Sequence, residues 1–414
     1  MKPIVLFFDG TWNSETRSQD YTNIHKLKEA VIEATGAAAP SGMGAPRLFY
    51  DPGVGTLGLV DKYLGGIFGF GLSENVRQGY RYLSQHYEPG RGEGESGDPL
   101  FVFGFSRGAF TARSLAGFVA ASGLLRPEHC NAKNLGFAWR YYRTEPKKRM
   151  PADRAALAAL CHPNVTIRLL GVFDTVGSLG IPTGEFGNWA GTLDQFHDTK
   201  IGSAIDVALH AVALDEHRGP FVPALFARPD NLKPRPVEQV WFPGVHSDVG
   251  GGYRRRDTGR ASIADVALTW MIERARRLAP ELPLNAPTPI TAGIDDPHDS
   301  LKGFVVSERM PLYRLIAGRD MPRPPAFRHA VYRLKPPDVS WKEQIHVAVF
   351  DLIIQTHLDA NRTAYLPPQI MAIAEDLRQG RFEVVDYAGA VLSFAEVVDL
   401  LDRTEKAIGA PLLR

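Results

Sequence analysis

Residues 100–121 read LFVFGFSRGAFTARSLAGFVAA, and the parsing of this stretch decides the fold. Leu100 to Phe103 is an unbroken apolar run, the pattern of a strand buried on both faces. Beyond it, Ala109, Phe110, Ala112, Leu115 and Ala116 recur at helical spacing. Between strand and helix stands Gly104-Phe105-Ser106-Arg107-Gly108, a GxSxG string that carries little weight alone in a chain with 40 glycines. Its context carries the weight. A strand running into the motif and a helix leaving it make a nucleophile elbow, in which a sharp turn strains the serine backbone while Gly104 and Gly108 leave room for neighbouring elements. At the helix N-terminus the N–H of Arg107 is expected to face an oxygen that gathers negative charge. A serine merely capping an ordinary turn is the plainer alternative, and the flanking elements outweigh it.

Outward from this stretch, apolar runs at Ile4 to Phe8, Arg47 to Tyr50, Val165 to Phe173 and Val237 to Val245 are separated mostly by helical segments. Ser73 is placed to cap a helix carrying Val76, Tyr80 and Leu83, and Ser262 another carrying Ile263, Val266, Ala267, Trp270 and Met271. Such alternation predicts a doubly wound α/β fold of α/β-hydrolase type, with a mainly parallel sheet and helices on both faces. After Leu278 the texture changes to APELPLNAPTPITAGIDDPHDS, a proline-rich connection. The expected division is a catalytic domain over residues 1–277 and a mostly helical accessory or cap region over 278–414, with helical patches at Trp341 to His357 and Pro368 to Arg378.

A serine hydroxyl needs a histidine to take its proton and an acid to orient that histidine. His246, in VEQVWFPGVHSDVGGGY, and Asp174, in IRLLGVFDTVGSLG, both follow strongly apolar strands, where catalytic groups collect in open α/β sheets. Ser106, Asp174 and His246 also appear in the chain order typical of α/β hydrolases. The rivals are weaker by placement. His346 has a helical flanking pattern, His210 and His217 sit in a helix-like segment, and Asp248 is expected to cap the glycine turn after His246. Asp215 and Glu216 are expected to pair with Arg218 or a nearby base, and Arg254, Arg255 and Arg256 to form a solvated basic turn rather than a phosphate site.

The opening stretch FFDGTWN raises a rival chemistry, since a DxDGT phosphatase uses an aspartate two residues before Asp9. That position holds Phe7, so the nucleophile is missing. The loop instead follows an early strand of the sheet, the usual source of a second oxyanion-hole donor. Gly10 or Thr11 is expected to supply that N–H, with Asp9 shaping the loop.

Composition sets the remaining bounds. The chain has 414 residues and a formal charge of +1, which removes any global electrostatic reason to expect nucleic acid. The two cysteines, Cys130 and Cys161, lack metal-ligand spacing, so neither metal nor cofactor is expected. No apolar run approaches the roughly 20 residues of a membrane span, and the first is cut short at Asp9-Gly10. The expectation is a cytoplasmic protein, exported only by a route without a cleaved signal. The apolar, glycine-rich segment from Gly55 to Leu72 is a candidate acyl-binding wall or lid, with a packed structural loop as the equal alternative, and peripheral membrane contact is a further partner expectation.

In order, FFDGTWN, YDPGVGT, GGIFGFGL followed by ENVRQGYRYL, GFSRGAFTAR, GVFDTVGS, ALDEHR and WFPGVHSDVGGGY span about Met1 to Met271. With these motifs the chain resembles the α/β-hydrolase domain family, formerly of unknown function, that includes the GxSxG type VI secretion lipase effectors. Beyond Met271 the agreement is scattered, HDS at His298 to Ser300 being one instance. The resemblance implies a serine hydrolase whose triad falls on Ser106, Asp174 and His246. Characterised relatives are phospholipases, which implies a lipid ester substrate and, for an effector, an immunity or secretion partner. The competing reading from another class is a non-catalytic interaction protein that works through the region after Leu278.

Overall fold

The computed structural model describes residues 1–10, 21–37, 44–53, 67–90, 96–176, 202, 204–218, 221–227, 235–301, 313–319 and 342–412. Among them the strands are β1 (Ile4–Phe8), β2 (Arg47–Asp51), β3 (Leu100–Phe105), β4 (Leu124–Leu125), β5 (Cys161–His162), β6 (Ile167–Phe173), β7 (Ile205–Ala213), β8 (Val237–Phe242), β9 (Glu343–His346) and β10 (Glu383–Val385). The α-helices are α1 (Asn23–Ala37), α2 (Ile67–His86), α3 (Arg107–Ser122), α4 (Ala132–Arg143), α5 (Pro151–Leu160), α6 (His246–Gly250), α7 (Ile263–Leu278), α8 (Ala348–Leu358), α9 (Pro368–Arg378) and α10 (Phe394–Ile408).

Eight strands form one sheet in the order β10-β9-β8-β7-β6-β3-β1-β2. Every neighbouring pair in it is parallel. The fold is therefore the α/β, hydrolase-like doubly wound arrangement that the unbroken apolar runs predict. Alternation along β1 shows why those runs must be apolar throughout. Ile4, Leu6 and Phe8 face a core built with α2, α3 and α4. Val5 and Phe7 face a second core that holds Ile24, Leu27 and Val31 of α1 and Trp270 and Met271 of α7. With both faces covered, a polar residue on either side would be buried without a partner.

Two segments read as helical are strands. The segment around His210, read as helix-like from its alanines and leucine, is β7, a central strand buried along nearly its whole length. Helix propensity is a weak prior, and here the sheet interior overrides it. The patch from Trp341, read as helical, begins instead with β9 before α8 starts at Ala348. β10 then pairs with β9. Residues after 278 thus extend the main sheet and enclose a third core, in which Trp241 of β8 meets Ile345, Phe350, Ile373 and Leu400.

Candidate active site

The candidate residues gather at the carboxyl ends of β3, β6 and β8. Ser106 follows β3 directly and holds φ 58° and ψ −121°, a conformation costly for a residue with a Cβ. Its N–H donates to the Phe173 carbonyl at 3.1 Å, which ties the elbow to the neighbouring strand. The flanking glycines are required by space. A Cβ on Gly108 would lie 2.1 Å from the Phe8 carbonyl oxygen, and one on Gly104 would lie 2.4 Å from the Gly108 carbonyl oxygen. Arg107 occupies the first position of α3, where a backbone N–H has no acceptor within the helix. Its guanidinium is pushed down to about 10 by burial.

His246 opens α6 after a turn at Gly244, whose φ is 92°. Its Nε2 lies 2.8 Å from Ser106 Oγ, and its Nδ1 lies 2.6 Å from Asp174 Oδ2. An ionised carboxylate only accepts, so Nδ1 carries the proton and Nε2 is left to accept from the serine hydroxyl. The ring is held between Phe105, at 4.6 Å between centroids, and the edge of Phe221, at 4.8 Å. The backbone N–H of His246 donates to Glu216 Oε2 at 3.2 Å. Burial lowers the imidazole below its ordinary value, opposed by the hydrogen bond and charge of Asp174.

Asp174 is fully buried with φ 34°. Burial alone would raise its carboxyl, but the Arg314 guanidinium and then the His246 hydrogen bond hold it well below the ordinary range. Arg314 Nη1 donates to Oδ1 at 2.7 Å and Nη2 to Oδ2 at 3.0 Å, while the Ala213 N–H donates to Oδ1 at 2.9 Å. Nothing in the sequence around Arg314 marks it out. It stands 140 positions from Asp174.

The loop after β1 also reaches this site. A Cβ on Gly10 would lie 3.6 Å from the Ser106 Cβ. Asp9 shapes the loop: its Oδ2 accepts from Thr22 at 2.7 Å and Tyr50 at 2.8 Å, and its Oδ1 accepts the Gly10 N–H at 2.7 Å. This corrects the expectation for Gly10, whose amide is committed to the neighbouring carboxylate rather than free for a substrate oxygen. Thr11 lies outside the described residues, as does most of the segment from Gly55 to Leu72.

The competing residues have other partners. His346 ends β9, fully buried, stacked on Phe242 at 4.5 Å, and its Nδ1 accepts from the Ala348 N–H at 3.1 Å. Burial takes its pKa down to about 3, which keeps it neutral. His210 bridges Gln239 Oε1 and the Thr175 N–H. Glu216 pairs with Arg218 as expected, whereas Asp215 accepts from Tyr365 and Gly244 instead. Asp248 folds back on its own turn, accepting the Val245 N–H at 3.0 Å, and also binds His298 Nδ1 at 2.5 Å. The HDS stretch is thereby drawn onto the rim, where Ser300 Oγ accepts the His217 N–H. Among the described residues no cluster of His, Cys, Asp and Glu is arranged to hold a metal ion, and no helix is long and apolar enough to cross a membrane.

An uncharacterised protein of Saccharomyces cerevisiae, YEL023C, is 28% identical over 260 residues, 55% of this chain and 34% of its own length. A crystal structure of an uncharacterised protein from Pseudomonas aeruginosa is 19% identical with a TM-score of 0.44, covering 99% of this chain and 62% of that one. The structure of the Tle1 effector bound to the VgrG spike from the type 6 secretion system is 21% identical with a TM-score of 0.31, covering 61% of this chain and 51% of that one. The chain thus spans about a third of the curated relative it matches. The family profile for the catalytic domain of type VI secretion phospholipase effectors of the Tle1-like kind matches residues 2–274. Over that span, which includes Ser106, Asp174 and His246, the chain belongs to the Tle1-like phospholipase effector family.

Proposed function

We propose that the protein is a serine hydrolase that cleaves carboxylic esters of lipids or phospholipids through an acyl-enzyme intermediate. The observation that carries this reading is the hydrogen-bonded chain from Ser106 Oγ through His246 to Asp174, with spacings of 2.8 Å and 2.6 Å, on a serine held at φ 58°. In this scheme His246 Nε2 takes the hydroxyl proton as Ser106 Oγ attacks the ester carbonyl, and the imidazolium is stabilised by Asp174. The proton then passes to the departing alkoxide, which leaves as the alcohol. Water, deprotonated by the same nitrogen, attacks the acyl-serine and releases the carboxylic acid. Arg107 contributes its backbone N–H to the oxyanion.

The family supports a lipid substrate, because its description names phospholipase effectors. Residues 1–277 supply every group that touches the substrate in this scheme, and residues 278–414 act as the accessory region, contributing the sheet edge and Arg314. A component of the type VI secretion apparatus is the partner class that the family description suggests, and co-purification with one tests it.

A fluorophosphonate probe should label Ser106 in the full chain, and Ser106→Ala should lose both labelling and hydrolysis of short and long acyl p-nitrophenyl esters. Incubation with a mixed lipid extract, read by mass spectrometry against Ser106→Ala, identifies the lipid consumed. If the wild type is neither labelled nor active, the reading fails and the non-catalytic alternative takes its place.

A further inference from the structure

We propose that Arg314 is a positioning residue for the catalytic carboxylate, making the site a relay of four side chains rather than three; this rests on the serine hydrolase reading above. The guanidinium is enclosed, with 1% of its residue surface exposed, and it faces Asp174 edge to edge. Two parallel N–H donors on the two oxygens fix the plane of a carboxylate, not only its charge. That plane decides where Oδ2 points, and Oδ2 holds His246 Nδ1 at 2.6 Å.

The other Nη hydrogens of Arg314 tie the same group to the surrounding frame, while its Nε is buried without an acceptor among the described residues. Nη1 donates to the Ala213 carbonyl at 2.6 Å, and Nη2 to the Phe221 carbonyl at 2.5 Å. Phe221 is the residue whose ring edge meets His246. One guanidinium therefore holds both the acid behind the imidazole and an aromatic wall beside it.

The charges facing this pair define what the arginine does. From the loop after β7 come Glu216, which accepts the His246 N–H, and Arg218, paired with Glu216. From β7 itself comes His210, with its pKa taken down to about 3 by burial and by Arg113 of α3. Asp248 is engaged by His298 on the far side of the turn. Within this set Arg314 alone makes an ion pair with Asp174 besides His246. A buried carboxylate without that cation would take up a proton or swing toward another donor. The cation also disfavours the imidazolium, so His246 stays neutral to lower pH than an isolated Asp–His pair would allow.

The test uses the full chain, p-nitrophenyl butyrate hydrolysis from acid to alkaline pH, and fluorophosphonate labelling of Ser106. Arg314→Met should lower kcat by roughly 10²-fold, leave KM within about twofold, and move the acid limb of kcat/KM up by about one pH unit. Loss of the cation raises the imidazole if Asp174 stays ionised, and substitutes the titration of Asp174 if it does not; both move the limb upward. Arg314→Lys keeps the charge and loses the fork, so its acid limb should match the wild type while kcat falls by about tenfold. If Arg314→Met does not fold by circular dichroism, Arg314→Lys decides the matter. A folded Met variant with wild-type kcat and acid limb, or a Lys variant with wild-type kcat, would overturn the assignment while Ser106 labelling stays intact. A wild type without labelling or hydrolysis instead sinks the serine hydrolase reading itself.

Discussion

Asp174 and Asp215 lie just beyond the ends of neighbouring parallel strands, β6 and β7, the first fully buried and the second half-buried, yet they hold their protons differently. Asp174 faces a guanidinium, an imidazole and one backbone N–H, and stays ionised far below neutrality. Among the described residues the Asp215 carboxylate accepts from the Tyr365 hydroxyl at 2.7 Å and the Gly244 N–H at 2.6 Å, and burial raises its pKa to about 7. Burial penalises the charged form at both places. Among the described residues a cation in direct contact is present at Asp174 and not at Asp215, and that difference favours Asp174 as the carboxylate that can orient a base. Asp215 acts instead as a latch between the end of β7 and the turn that carries His246.

Asp174→Asn should produce the largest effect. An amide can offer an N–H where Nδ1 needs an acceptor, so the wrong tautomer is favoured and kcat should fall by roughly 10⁴-fold. The same change leaves Arg314 buried without its counter-charge, which should cost about 3–5 kcal/mol of stability. Ester hydrolysis and denaturant unfolding of one preparation measure both, and a variant with near-wild-type turnover would mean that the charge on Asp174 is irrelevant.

Asp215→Asn should leave hydrolysis within a few-fold of wild type and change the dependence of stability on pH. The folded chain holds this proton up to about pH 7, whereas an ordinary carboxyl releases it near 3.8. Its contribution is therefore complete below the lower value and is lost as pH rises through the higher one. Thermal unfolding measured from pH 4 to pH 8 should decline less steeply in the variant. An unchanged slope would remove Asp215 as the titrating latch.

Tyr365→Phe is the mildest of the series. Its hydroxyl donates to Asp215 and favours the carboxylate, so losing it should push the Asp215 pKa further up. The loss of stability that Asp215 causes should then begin at the same ordinary carboxyl value and extend to higher pH than in the wild type. A shift to lower pH would show that the hydroxyl does not act as a donor here.

Which parts of this site are legible in the chain follows from the range of the interactions. The elbow is local: a strand, five residues and a helix contain the strain on Ser106 and the crowding that demands Gly104 and Gly108. Asp174 and His246 are legible one step less directly, because a residue just after an apolar strand must lie at the sheet edge where sites form. The same rule applied to β9 would have promoted His346, which its full burial, its stacking on Phe242 and the Ala348 N–H on its Nδ1 set aside. Strand β7 was obscured by residues with good helix propensity that the sheet interior buries regardless. Gly10 of the loop after β1 comes close to Ser106, but the destination of its N–H depends on a side-chain rotamer of Asp9 that no pattern encodes.

By itself, the sequence determined the doubly wound fold, the elbow and the chain order of serine, aspartate and histidine. Periodicity and turn chemistry act over a few residues, so they can be read without coordinates. Tertiary structure alone decided the rest: that Arg314 closes on Asp174, that Asp215 keeps its proton to about pH 7, and that the Gly10 amide is already engaged. Each of these depends on which distant groups share one buried volume. In that volume electrostatic energies are set by angstroms between side chains, and separation along the chain carries no information about them.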